Sequence, residues 1–238
     1  MGNNSNLLDH PEIKLLNRAL LSTLLEESDR GAILIGAAHV EDHLRQLTAA
    51  VFPSRMSNKM VKSLLAYQGA LGTFSNKIEV AYAFRLIPRS LYDALNSLRA
   101  IRNDAAHSPG VFNLRLQEDR IDRMLALGPD MHIKTRRRAL NILINFKSGI
   151  VFDTIQEHRR TDPELSFPIN TKQDAVEYIL NEPEYVKVLQ AQLPHWVLVL
   201  GISLICGMLV HYRDKIRENL LSDVTFFQLL KSRTPETK

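Results

Sequence analysis

The chain has 238 residues, of which 45% are hydrophobic and 24% charged, so it is long and apolar enough to bury a core, and its composition excludes disorder. Aromatic residues are only 7% and glycine occupies only 10 positions, while Leu, Ala, Ile and Arg are abundant, a balance that favours helices over sheets and predicts an all-α fold. Thirty Lys and Arg against 26 Asp and Glu leave a net +4, too weak a field to announce a nucleic-acid binder, and the single cysteine, Cys206, excludes an intramolecular disulfide and fits a buried thiol in a reducing cytoplasm.

The first residues, MGNNSNLLDHPEIK, carry neither the basic start nor the apolar stretch of a secretory leader, and Asn6 stands where a myristoylation pattern wants Ser or Thr. Asp9, Pro11 and Glu12 predict a helix start, with Asp9 as cap and Glu12 closing a capping box, and the helix runs to about Glu27. Ser28 or Asp29 caps a second helix over Arg30–Val51, whose Ile33, Ala37, Val40, Leu44, Leu47 and Val51 form an apolar stripe. Gly31 and Gly36 permit close helix contact there, and Pro53 ends the helix. Ser57–Tyr67 reads as a short helix, Gln68–Gly72 as a turn, and Thr73 as the cap of a helix over Phe74–Leu86. Pro88 opens the next helix, which stops at Ser108-Pro109-Gly110.

Beyond it, Asn113–Leu127 has the pattern of a charged amphipathic helix ended by Gly128-Pro129. Lys134–Glu157 is longer, with Ala139, Leu143, Phe146 and Ile150 as its expected buried face. His158–Asn170, with two prolines and no period, is expected to be a linker or hinge, and Thr171 with Asp174 predicts a capping box for a short helix to Leu180. The last predicted helix is Pro194–Leu221. No Asp, Glu, Lys or Arg occurs from Val188 to Tyr212, so a membrane span has to be weighed. The compact apolar run is only Trp196–Val210, flanked by His195 and His211, which is short of the roughly 20 residues a span needs and predicts a core helix instead.

The stretch that organises the chain is Leu95–Ser108, LNSLRAIRNDAAHS. Tyr92, Leu95, Leu98, Ile101 and Ala105 recur at three- and four-residue steps as a buried stripe and leave Arg99, Arg102, Asn103 and Ala106 at its border. His107 lies one turn beyond Asn103. Arg102 and His107, separated by four residues and with Asn103 directly after the arginine, resemble the signature of HEPN domains, helical bundles that include metal-independent endoribonucleases and inactive relatives. A longer similarity covers Asp29–Ser108: the segments DRGAILIGAAHVEDHLRQL, GALGTFSNKIEVAYAFRLI and LRAIRNDAAHS resemble, in order, the mannitol operon repressor (MltR) family of bacterial regulators, itself HEPN-like. The resemblance implies a HEPN/MltR-like helical domain over about residues 6–157, followed by the 158–170 linker and a helical C-terminal extension over 171–238 that packs back on the bundle.

Two functional expectations follow from it. One is a cytoplasmic regulator acting through protein contacts or a weak nucleic-acid surface, although no helix-turn-helix pattern is present. The other is a homodimeric, metal-independent endoribonuclease of toxin or defence type, in which His107 handles a proton, Arg102 holds the phosphate and Asn103 orients either group. Cleavage without metal needs a base, an acid and fixed positive charge, and a single histidine serves one proton transfer at a time. In the HEPN ribonucleases that this stretch resembles, two copies of the motif meet across a dimer, and with one copy in this chain the resemblance implies a homodimer. A noncatalytic binder of RNA or nucleotides at the same cleft is the third alternative. Against all three stands a structural helix end, with His107 on the helix dipole and Arg102 paired to Asp93 or another carboxylate.

Other clusters carry weaker signals. His39 and His43 lie one turn apart without further ligands, which favours a polar helix edge over a metal site, so neither metal nor cofactor is expected. Gly69–Ser75 fits a phosphate-cradling turn only as well as it fits a plain turn capped by Thr73. Lys134, Arg136, Arg137 and Arg138, echoed by Arg159 and Arg160, form the densest basic patch; with Arg99 they are the candidate nucleic-acid contacts. Positive charge at a helix N-terminus opposes the helix dipole, which points to an outside anion or acidic partner.

Overall fold

The computed structural model describes residues 7–162 and 167–219. Among them all regular structure is helical: a 3-10 turn Leu7–Asp9, then α1 (Pro11–Leu24), α2 (Asp29–Ala49), α3 (Asn58–Leu65), α4 (Phe74–Ala83), α5 (Arg89–His107), a 3-10 turn Leu114–Gln117, α6 (Glu118–Met124), α7 (Met131–Thr161), α8 (Lys172–Asn181) and α9 (Pro183–Asn219). The fold is therefore an all-α bundle with a long C-terminal helix. Residues 1–6, including the expected start of the first domain, lie outside the described residues, as do 163–166 of the expected linker and everything after 219.

The axis of the bundle is α9. It lies against α2 over the most extensive helix contact in the molecule, with α7 and α1 on its other sides. Trp196, Val197, Leu198, Val199, Ile202, Ile205, Cys206, Leu209 and Val210 are all buried, so this helix is apolar nearly all round because it is enclosed nearly all round. It is the one described helix long and apolar enough to cross a membrane, and 72% of its most apolar window is buried inside the protein, as in a core helix. Small residues set how closely its neighbours approach. A Cβ on Gly36 of α2 would sit 3.0 Å from Ile202 Cγ1, and one on Gly201 would sit 2.8 Å from Leu125 Cδ2. At full packing density such contacts leave no room for a methyl group.

Several local expectations are corrected. The cap of α1 is His10, whose Nδ1 accepts from the Glu12 amide at 3.3 Å, and not Asp9. Glu12 forms no capping box because its carboxylate is drawn across to Arg213 of α9. Ser28 caps α2, and the stripe from Ile33 to Leu47 is buried; Val51 lies past the helix end and is exposed. Gly36 makes the expected close contact, whereas Gly31 sits in the first turn beside Glu27 rather than against another helix. Residues 113–127 form a 3-10 turn and a short α6 rather than one helix, since the Asn113 side chain accepts from the Arg115 amide and the Leu114 amide donates to Asp29.

In α7, Ala139 and Leu143 are buried but Phe146 and Ile150 are about half exposed. The helix meets α9 and then α8, so its inward stripe shifts to Ser148, Val151 and Ile155. It also runs through Thr161 and takes up His158, Arg159 and Arg160, whose charge suits a helix C-terminus. Arg159 then donates to Phe167 O and Asn170 Oδ1 at 2.7 and 3.0 Å, tying down the approach to α8. The capping box of Thr171 and Asp174 is present, and its amides hold the Asp174 carboxyl below the usual range. The final helix begins at Pro183, eleven residues before the expected Pro194, which α9 accommodates in its interior.

Candidate functional site

The three segments that carry the family resemblance fold into one unit of α2, α4 and α5, the first of them bonded to each of the other two. Lys77 of α4, its side chain only 4% exposed, donates to Glu41 of α2 at 2.8 Å and to Gly72 O at 3.2 Å. Tyr92 of α5 donates to Glu79 of α4 at 3.0 Å and stacks on Tyr82 with ring centroids 4.4 Å apart. At the start of α2, Arg30 Nη2 donates to the carbonyls of Ser108 and Gly110 at 2.9 and 2.5 Å, while Asp29 Oδ2 accepts from the Leu114 amide at 2.7 Å. The Asp29-Arg30 pair thus clamps the loop that leaves α5, and so fixes the helix end that bears Asn103 and His107. This clamp went unnoticed in the sequence, where Asp29 serves as a cap candidate and Arg30 as the first residue of a helix.

At that end Arg102 and His107 are exposed and Asn103 is half-buried. Arg102 Nη1 donates to Asn103 Oδ1 at 3.2 Å. Five positions at 3.6 residues per turn place Arg102 and His107 about 140° apart around α5, so within one chain they diverge. The carboxylate expected for Arg102, Asp93, takes Arg89 at 2.8 Å instead, and Asp104 takes Arg120 of α6.

The concavity of this region lies one turn away, between α5 and α6. It is an open cleft of about 770 Å³ whose lining includes Arg89, Asn96, Ser97, Arg99, Arg120 and Arg123. Of the candidate site residues only Arg99, expected as a nucleic-acid contact, lines it; the motif residues Arg102, Asn103 and His107 do not. Arg89 is paired with Asp93, and Arg120 with Asp104 and Gln117. Arg99 has only the Asn96 amide oxygen, at 3.3 Å through Nε, and Arg123 has no side-chain partner among the described residues. The signal for this cleft was present in Arg120 and Arg123, three apart and therefore neighbours on one helix face.

The remaining candidates are dispersed. In the basic patch, Lys134 donates to Pro129 O at 3.3 Å and Arg136 pairs with Asp122 of α6 at 2.7 Å, while Arg137 and Arg138 are exposed without carboxylate partners among the described residues. His39 and His43 lie on α2; burial pushes the His39 value down, and His43 is enclosed, with Nδ1 on the His39 carbonyl at 2.8 Å and Nε2 facing Glu12 at 3.4 Å. Among the described residues no group of three acidic, histidine or cysteine side chains could hold a metal ion. The Gly69–Ser75 turn packs on itself: a Cβ at Gly69 or Gly72 would strike backbone carbonyls at 2.2 and 2.3 Å, and Thr73 caps α4. Cys206 is fully buried, and burial raises its thiol far above the usual value. Among known proteins, no family model, curated sequence or solved structure matches the chain.

Proposed function

We propose that the protein is a cytoplasmic regulatory protein, similar in kind to the mannitol operon repressors, that works as a homodimer through contacts to nucleic-acid phosphates and not through chemistry. The distribution of charge carries this reading. Residues 99–138 hold nine Lys and Arg against five Asp and Glu, a net +4 equal to that of the whole chain, so the positive field is concentrated on α5, α6 and the start of α7. Arg102, Arg137 and Arg138 have no carboxylate partner among the described residues, and unpaired arginines are the groups that exchange counterions for phosphates. The bonding of the first MltR-like segment to each of the other two, Glu41 to Lys77 and Arg30 to Ser108 O, supports the family resemblance behind the regulatory role.

A salt series tests it. Binding to a DNA or RNA duplex should weaken log-linearly with salt, and Arg137→Ala with Arg138→Ala should lower the slope by roughly two. Absence of nucleic-acid binding at low salt removes this reading and leaves regulation through a protein partner, to be tested by pull-down.

The endoribonuclease reading keeps one specific support: the exposed Arg102 and His107 stand on a helix end held by the Arg30 clamp, open to a second copy. RNA incubated with the protein in EDTA decides it. Cleavage lost in both His107→Ala and Arg102→Ala establishes the activity; no cleavage, or cleavage indifferent to both, eliminates it.

A further inference from the structure

We propose that the cleft between α5 and α6 is a binding site for a small ligand carrying a dianionic phosphoryl group, recognised by Arg99 and Arg123. This goes beyond the nucleic-acid reading, because it assigns a different ligand to a concave site and does not involve the α7 arginines. Four guanidinium groups and one carboxylate, Asp93, line the cleft. Two of the guanidinium groups are already neutralised, Arg89 by Asp93 and Arg120 by Asp104, the latter carboxylate lying just outside the lining. That leaves two unmatched positive charges from two different helices facing one space. A phosphomonoester dianion supplies two negative charges and three terminal oxygens, and a guanidinium fork bonds such oxygens in pairs. A phosphodiester supplies one charge and leaves the cleft under-neutralised.

The remaining lining suits a polar ligand body. Ser90 and Ser97 offer hydroxyls, and Asn96 is held by donating to Tyr92 O at 3.2 Å and accepting from Arg99. Arg99 spends only Nε on that bond, so both of its terminal nitrogens remain for the ligand. The cleft volume of about 770 Å³ is that of a small-molecule site and exceeds what a lone ion fills. Its two walls pack directly on each other and are bridged by the Arg120 to Asp104 pair, so binding requires little ordering of helices.

Calorimetric titration of the full chain with methyl phosphate, dimethyl phosphate, inorganic phosphate and a short single-stranded oligonucleotide tests the assignment. Methyl phosphate should bind, its affinity rising as the pH passes through about 6 and the ester becomes a dianion, while dimethyl phosphate should not bind. Arg99→Gln and Arg123→Gln should each weaken methyl phosphate at least roughly tenfold, and Arg137→Gln should leave it unchanged. Arg123 has no side-chain partner to lose among the described residues, so Arg123→Gln retains the wild-type melting temperature and reads the site even if Arg99→Gln does not fold. The proposal is overturned if methyl phosphate does not bind at millimolar concentration, if binding is indifferent to both substitutions, or if only the oligonucleotide or inorganic phosphate depends on these two arginines. Failure of the duplex salt series with methyl phosphate still bound would sink the nucleic-acid reading and leave this one standing.

Discussion

The junction of α1, α2 and α9 makes an asymmetric prediction. Arg213 of α9, its side chain 7% exposed, donates to both Glu12 oxygens at 3.1 and 2.7 Å, to Gln46 Oε1 at 2.7 Å and to Asp214 at 3.0 Å. Glu12 is 35% exposed, so water reaches it where it does not reach the guanidinium. Glu12→Ala therefore leaves an enclosed cation short of half its compensation. Arg213→Met leaves a carboxylate that rehydrates, and keeps an apolar stem in the space the arginine filled. Two charge-assisted bonds, discounted for the exposure of Glu12, put Glu12→Ala at about 2–3 kcal/mol, against about 1 kcal/mol for Arg213→Met. Urea unfolding at neutral pH, with an unchanged m-value, measures both. If Arg213→Met is as costly as Glu12→Ala, burial of the guanidinium is not what makes the junction one-sided, and the argument fails.

The same pair sets an acid dependence. Hydrogen bonds from Arg213 hold the Glu12 carboxyl below its ordinary value of 4.5. A depressed carboxyl contributes stability that is fully present above the unfolded value and is lost as pH falls through the folded one. The stability gap between wild type and Glu12→Ala should thus close as the pH falls below about 4.5.

Three further outcomes are expected. Ile202→Ala, at a fully buried residue facing Gly36, should cost about 2–5 kcal/mol in urea titration, since a glycine wall cannot move in to fill the gap. Cys206 should not react with an aromatic disulfide reagent in the folded protein and should react once in denaturant; labelling of the native state would contradict its burial. Arg30→Ala should raise amide hydrogen exchange over residues 108–114 while leaving the α2 stripe protected, and no change there would show that Arg30 does not hold the loop.

Much of the helical plan was legible because its signals are local. Ser28, Thr73 and Thr171 each cap the helix they announce, and the stripe of α2 follows from a 3.6-residue period. What was not legible depends on partners far away in the chain. Glu12 has the spacing of a capping-box residue, yet Arg213, 201 positions on, takes it away. Phe146 and Ile150 satisfy a periodic face, but α7 has two successive partners and its inward direction drifts. Pro194 reads as a helix start because proline is costly in a helix interior, and burial on several sides of α9 outweighs that cost. The site divides in the same manner. Arg102, Asn103 and His107 stand out as a contiguous motif, whereas the cleft joins Arg99 to Arg123 across a connection that no spacing rule describes.

That division bears on the choice between recognition and cleavage. Breaking a phosphodiester by proton transfer takes a base and an acid, and the end of α5 offers one imidazole, His107. His39 and His43 belong to α2, where His43 is enclosed against Glu12, and His195 on α9 faces Asp29 at 3.4 Å. Within one chain the helix end therefore has positive charge and a single proton carrier, and its arginine projects away from that carrier. Binding phosphate requires only the charge. Cutting at it requires a second copy to bring its own His107 opposite the first, so any ribonuclease activity must vanish on dilution below the dimer's dissociation constant, while phosphate binding in the α5–α6 cleft must not.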